Sequence, residues 1–225
     1  MYENLVHPLE NAGYKIFFFV STWDVAGDRS SWFGETIDKD IECIRNELHP
    51  HGLYVEHFDR ESFLNRFETN KWKEYAHLSN RTTSGDAVSM YYKLAQCWKM
   101  LEDAECIYGH RFDLVVRTRP DLYLCTPLQT DIFPPEKNII YMPTWHGKYR
   151  EVNCTFADYF AIGTRDTMKH YMNIYNHIRE LMTMDIPHTG EGYLYGQVER
   201  NNLRVRRLDK MQFGLMRINT VEFMS

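Results

Sequence analysis

The segment Phe112-Asp-Leu-Val-Val-Arg-Thr-Arg-Pro-Asp-Leu-Tyr-Leu124 sets two arginines and a carboxylate between two apolar runs. Leu114 to Val116 reads as a buried strand ending in Arg117, Arg119 and Asp121, and Leu122 to Leu124 reads as a second short strand. Strand, charged knuckle and strand put these groups at the carboxyl edge of a sheet, the edge where open α/β sheets bind ligands. Two cations beside one carboxylate suit a phosphate ester, with or without a bridging metal ion. An Arg–Asp pair that only caps the strand is the structural alternative.

Other groups fit the same chemistry. Tyr14 to Ser21 is a near-continuous apolar run, expected of a central strand covered on both faces, and it leads into Ser21-Thr22-Trp23-Asp24 and then Gly27-Asp28-Arg29. Hydroxyls, a ring and carboxylates at a strand's carboxyl end can hold a base and ribose, with Arg29 near phosphate. A capped turn accounts for the same residues. Ser89-Met-Tyr-Tyr92-Lys93 reads as a helix start, whose first turn offers free N–H groups to an anion while Lys93 adds charge. An amphipathic helix with one exposed lysine is the plainer account.

The elements that must position these residues alternate between β and α patterns. Ile37, Ile41, Ile44 and Leu48 give Gly34 to Leu48 a helical period, and Leu53 to Phe58 reads as a strand after Gly52. Asp59 to Gly85 has no clean period and reads as short helical pieces with a long loop. Ala87 to Leu101 is the strongest helix, its face made by Val88, Tyr91, Leu94, Ala95, Trp98 and Leu101, with Gly85-Asp86 at the cap. Ile139 to Met142 and Tyr159 to Ile162 read as strands. Thr164 to Met184 reads as one long helix, Glu191 to Arg200 as a short one, and Leu203 to Leu208 as the last strand. No repeat or linker divides the chain. The expectation is a single α/β domain over residues 1–225, a mixed, mostly parallel sheet with helices on both faces.

Composition narrows the classes. At 225 residues the chain can bury a full core without staples, and a net charge of −5 argues against a general nucleic-acid binder. Arg204, Arg206 and Arg207 are too small a basic cluster to reverse that. Fifteen tyrosines and 13 phenylalanines leave rings available for stacking on planar or sugar ligands. The five cysteines have no Cys-x-x-Cys spacing, which suits free thiols in a reducing compartment. With no secretory signal and no apolar stretch of spanning length, a cytoplasmic protein is expected, and the sequons at Asn80 and Asn153 are discounted. Neither a Gly-x-x-x-x-Gly-Lys-Ser/Thr loop, nor Gly-x-Gly-x-x-Gly after the first strand, nor a Gly-x-Ser-x-Gly elbow is present. His49 and His51 flank Pro50 without the partners a zinc site needs.

Taken in order, Ser21-Thr-Trp-Asp24, Ser89-Met-Tyr-Tyr92, Phe112 to Leu122, Asp158-Tyr-Phe-Ala-Ile-Gly163 and Gly190-Glu191 resemble the GT-A-type glycosyltransferase-like proteins of bacterial polysaccharide clusters and large DNA viruses. The resemblance runs from about Tyr14 to about Leu208 and implies a Rossmann-like domain that transfers a sugar from a UDP- or GDP-sugar to a glycan or glycoprotein acceptor. In that family an Asp-x-Asp motif holds Mn²⁺ or Mg²⁺ on the donor diphosphate. Here the matching positions read Arg119-Pro120-Asp121, so one carboxylate is replaced by an arginine. A metal on Asp121, or Arg117 and Arg119 directly, can then stabilise the leaving diphosphate. Asp158, which opens a strand after a loop carrying Trp145 and His146, and Glu191, at a helix start, are the acceptor-side carboxylates, either of which could be the base. His188 is a candidate late metal ligand. Two other classes stay open: a nucleotidyltransferase using the same edge, and a non-catalytic nucleotide- or carbohydrate-binding module, alone or as one part of a longer transferase.

Overall fold

The computed structural model describes residues 1–24, 41–65, 83–119, 122–143, 156–209, 211–217 and 220–224. In chain order its elements are a π-helical turn (Tyr2–Val6) running into α1 (His7–Asn11), β1 (Phe19–Trp23), α2 (Ile41–Leu48), β2 (Gly52–Glu56), α3 (Arg60–Asn65) and α4 (Thr83–Tyr108). There follow β3 (Leu114–Arg117), β4 (Leu122–Leu124), β5 (Ile139–Met142), β6 (Ala161–Thr164), α5 (Arg165–Met172), a 3-10 turn (Ile174–His177), α6 (Ile178–Leu181), α7 (Gly190–Arg200), β7 (Arg204–Arg207), β8 (Phe213–Arg217) and β9 (Thr220–Met224). The class is mixed α/β, with both parallel and antiparallel pairing. Among the described residues no helix is long and apolar enough to cross a membrane.

The chain divides into two compact units, each built from separated segments: Met1–Ile16, Arg111–Tyr171 and Leu194–Ser225 in the first, Phe17–His110 and Met172–Tyr193 in the second. The second unit holds a parallel pair in which Phe19 faces Gly52 and Trp23 faces Glu56. Helix α4 packs on both strands through the face read from its period; Val88, Tyr91, Trp98 and Leu101 are all buried. A Cβ on Gly52 would stand 3.0 Å from the Phe19 ring and 3.1 Å from the Met100 sulfur, so the absence of a side chain lets β2 start in this space. In α2 the apolar positions Ile41, Ile44 and Leu48 are half-buried and the residues between them are exposed, as their spacing predicts.

The first unit holds a four-stranded sheet in the order β3-β6-β5-β7 and a three-stranded sheet in the order β4-β8-β9. Strand β6 runs antiparallel to β3 and β5, β7 runs parallel to β5, and the second sheet is antiparallel throughout. The described ladders are therefore mainly antiparallel, against the mostly parallel sheet expected. Leu122, Leu124, Tyr141, Phe160, Ile162 and Phe213 meet in one apolar core. Burying each such side chain contributes roughly 1.5–3 kcal/mol.

Three expectations change for identifiable reasons. The apolar run Tyr14 to Ser21 is not one strand: Tyr14 and Ile16 pack on the core of the first unit, and β1 begins only at Phe19, where Gly52 provides its partner. Nor is β1 covered on both faces, since only Thr22 is buried along it. The long helix read from Thr164 breaks at Asn173, whose side-chain oxygen accepts from the Asn176 amide (2.7 Å) while its carbonyl accepts the Asn176 N–H (3.0 Å), starting a new turn. Leu203 to Leu208 is not the last strand either. The Phe213–Arg217 run contains Gly214, which dilutes its pattern, yet it pairs with β4 through Leu122–Leu215 and Leu124–Phe213.

Candidate functional site

In the second unit the carboxyl ends of β1 and β2 bring together Thr22, Trp23, Asp24, Glu56, His57 and Phe58, and α4 adds Tyr92 and Lys93. Thr22 donates its hydroxyl to the Trp23 carbonyl (3.1 Å). The Trp23 ring stacks on Tyr92 (centroids 5.5 Å apart, planes 14° apart) and meets Phe58 at 4.7 Å and Phe63 at 5.6 Å. Lys93 lies over Trp23 with Nζ 3.7 Å from the ring centroid, and donates to Glu56 Oε2 at 2.7 Å. The Tyr92 hydroxyl donates to the other Glu56 oxygen at 3.0 Å. Burial pushes the Glu56 carboxyl up, but Lys93 with the Tyr92 and Tyr54 hydroxyls outweighs it and holds the group below its ordinary value. Burial pulls the Lys93 ammonium down, and Glu56 recovers only part of that.

The carboxylate of Asp24 is engaged on both oxygens. Oδ2 lies 2.7 Å from His57 Nδ1, and Oδ1 accepts the Phe58 N–H at 3.2 Å. Hydrogen bonding and charge hold Asp24 below the ordinary carboxylate value and raise His57 above 6.5.

Two sequence expectations about α4 are corrected. Ser89 does not start the helix, because Thr83-Ser-Gly-Asp86 is already helical; its N–H lies inside the helical ladder rather than among the free first-turn donors. Lys93 is not the exposed lysine of a plain amphipathic helix, since it is 6% exposed and its ammonium meets Glu56 and Trp23. Ser21 sits half-buried on β1 opposite Tyr54. Arg29, Trp145, His146 and both sequons lie outside the described residues.

In the first unit Arg117 ends β3, is buried, and pairs across the ladder with Ala161. Half-buried Arg119 makes a turn: its carbonyl accepts the Leu122 N–H at 3.1 Å, which returns the chain into β4. Strands β3 and β4 join different sheets rather than sharing one sheet edge, and Pro120 and Asp121 lie outside the described residues. Asp158 does not open β6; it precedes the strand, with its backbone carbonyl accepting the Tyr171 hydroxyl at 3.0 Å. Burial pushes the Tyr171 phenol up; Arg117 opposes this and Asp158 adds to it, which puts both charges close to one ring.

Glu191 lies half-buried in the first turn of α7, in the second unit. The Thr189 hydroxyl caps that turn by accepting the Gly192 N–H at 3.1 Å, and the Tyr91 hydroxyl donates to the Gly190 carbonyl at 2.7 Å. A Cβ on Gly192 would fall 1.9 Å from the Pro187 oxygen, so only glycine fits. His188 is half-buried with Nδ1 3.3 Å from the Tyr193 hydroxyl, and burial holds its pKa below 6.5.

Among the described residues no group of three or more His, Cys, Asp or Glu side chains gathers in ligand geometry, and Asp121, the other expected metal ligand beside His188, lies outside them.

Sequence reasoning missed Glu56, His57 and Phe58. The signal was available, since the argument used for the end of the first strand applies equally to the polar residues after Leu53 to Val55. Comparison of the chain with protein-family models, with curated proteins and with solved structures finds no match.

Proposed function

We propose that the chain is a glycosyltransferase of the GT-A kind, moving a sugar from a nucleotide-diphosphate donor to a hydroxyl of a glycan or glycoprotein. The observation that carries this reading is the parallel β1–β2 pair backed by α4, with Trp23, Asp24 and Glu56 at the carboxyl ends of its strands. Nucleotides bind at such ends in α/β sheets, and the pair with its helix is taken as the nucleotide-binding half of a Rossmann-like fold. In the reaction the acceptor oxygen bonds to the donor's anomeric carbon, and the bond to the diphosphate breaks with its electron pair leaving on phosphate. A cation must answer that developing charge, and in the sequence the candidates for it are Arg117 and Arg119. Asp158 in the first unit and Glu191 in the second are separate candidates for the carboxylate that meets an acceptor hydroxyl.

The test is incubation with UDP- and GDP-sugars. Slow release of the nucleoside diphosphate supports the proposal. Release of pyrophosphate from a nucleoside triphosphate marks a nucleotidyltransferase instead, and neither product marks a binding module. In thermal-shift measurements UDP or GDP, with and without Mn²⁺, should stabilise the protein, and Asp121→Asn should lose any part that depends on Mn²⁺.

A further inference from the structure

Charge is unevenly divided between the two units. Counted over its segments, the first carries fifteen Lys and Arg against twelve Asp and Glu, and the second eleven against nineteen. The chain's negative charge thus belongs wholly to the second unit, and the first is basic within an acidic protein. Part of that excess gathers on β7, the last strand in the order β3-β6-β5-β7, where Arg204, Arg206 and Arg207 are all exposed. Alternation along the strand puts Arg204 and Arg206 on one face and Arg207 on the other.

The first two form an organised pair. Arg206 lies in register with Tyr141 of β5, and its guanidinium carbon stands 5.5 Å from the centroid of that buried ring. The Tyr141 hydroxyl accepts the Glu136 N–H at 3.3 Å, which holds the segment before β5 in place. From there the Glu136 carboxylate reaches both cations, with Oε1 2.7 Å from Arg206 Nη2 and Oε2 3.7 Å from Arg204 Nη2. One carboxylate against two guanidinia leaves a positive charge over, and the side chains of Arg204 and Arg206 remain 69% and 53% exposed. Exposed Lys137, next to Glu136, adds to the excess. Glu136 shows which group the pair accepts: a carboxylate.

We propose that the Arg204–Arg206 face of β7 binds the carboxylates of an acidic glycan, which serves as the acceptor. The acceptor's role rests on the glycosyltransferase reading, while the binding itself needs no donor and uses the first unit alone. Glu136 occupies the pair in the free protein, and a uronate of the glycan displaces it or shares its guanidinia. An anionic lipid surface fits less well, because recognition of that kind takes clusters of about four to eight cations on one side.

The experiment titrates tetragalacturonate into the full chain by calorimetry, with maltotetraose as its neutral counterpart. The acidic tetramer should bind, more weakly as salt is raised, and the neutral one should not. Arg204→Gln combined with Arg206→Gln should weaken binding by about tenfold, as the loss of two exposed ion pairs allows. Glu136→Gln removes the competing carboxylate and should tighten binding by about threefold. Arg207→Gln, on the other face, should stay within about twofold of wild type, whereas a general basic surface would respond to it as to Arg204→Gln or Arg206→Gln. No binding of tetragalacturonate at millimolar concentration overturns the inference, and sedimentation with phosphatidylglycerol vesicles in its place marks a membrane surface. Equal binding of maltotetraose or of tetraglutamate overturns it as well, as does an affinity that neither the double variant nor Glu136→Gln changes. Nucleoside diphosphate release from UDP- and GDP-sugars is read separately. Binding without release overturns the transferase reading and leaves the glycan site standing; release without binding does the reverse.

Discussion

The carboxyl edge of β1 and β2 and the Arg117 knuckle handle charge differently. At the edge, ionisable side chains answer one another: Lys93 is held by Glu56, and Asp24 by His57. At the knuckle, a buried guanidinium ends a strand, and the Tyr171 phenol, pushed up by its burial, stays neutral and donates to the Asp158 carbonyl. The first arrangement uses its charge to fix geometry. In the second, the neutral Tyr171 hydroxyl ties α5 to the turn before β6.

The contrast is broken most severely at Lys93. Lys93→Met leaves the Glu56 carboxylate without its ammonium partner and should cost about 3 kcal/mol in denaturant unfolding, whereas Lys93→Met with Glu56→Gln should cost clearly less. Equal losses in the single and double variants would mean that packing, not charge, holds the edge together. At the knuckle, Tyr171→Phe removes one neutral hydrogen bond to the Asp158 carbonyl and should cost about 1 kcal/mol by the same measurement.

The gentlest probe is pH. His57 has a raised pKa, so its contribution to stability is whole below 6.5 and fades as pH rises through the raised value; Asp24 is lowered, so its contribution is whole above 3.8 and fades as pH falls through the lowered value. The clasp is therefore fully formed in mildly acidic solution. NMR titration of the His57 ring should give a midpoint above 6.5 that drops in Asp24→Asn. Because both groups are exposed, the effect on unfolding is small.

What could be read ahead of the coordinates followed from how local each signal was. Strand β5 was legible to the residue because Ile139–Met142 is buried at every position and carries no competing pattern. The two strands flanking the knuckle were legible because Leu114–Val116 and Leu122–Leu124 are short apolar runs, whereas their separation into two sheets was not. The start of α4 was not, since Thr83-Ser-Gly-Asp86 looks like a cap yet continues the helix. The Asp24–His57 pair was not, because only the parallel register of β1 and β2 brings residues so distant in the chain together. Period and composition describe a face; they do not describe which strand lies beside it.

The division of the chain into interleaved segments governs how the molecule can be made. Strand β4 is synthesised well before β8, yet Leu122 and Leu124 find their ladder partners only in Leu215 and Phe213. On the ribosome those leucines must wait for these ladder partners until Phe213 and Leu215 have emerged. Contacts so far apart in sequence carry a large loop-closure cost and form late. During that interval the nascent edge of β4 is a target for chaperones and for wrong partners.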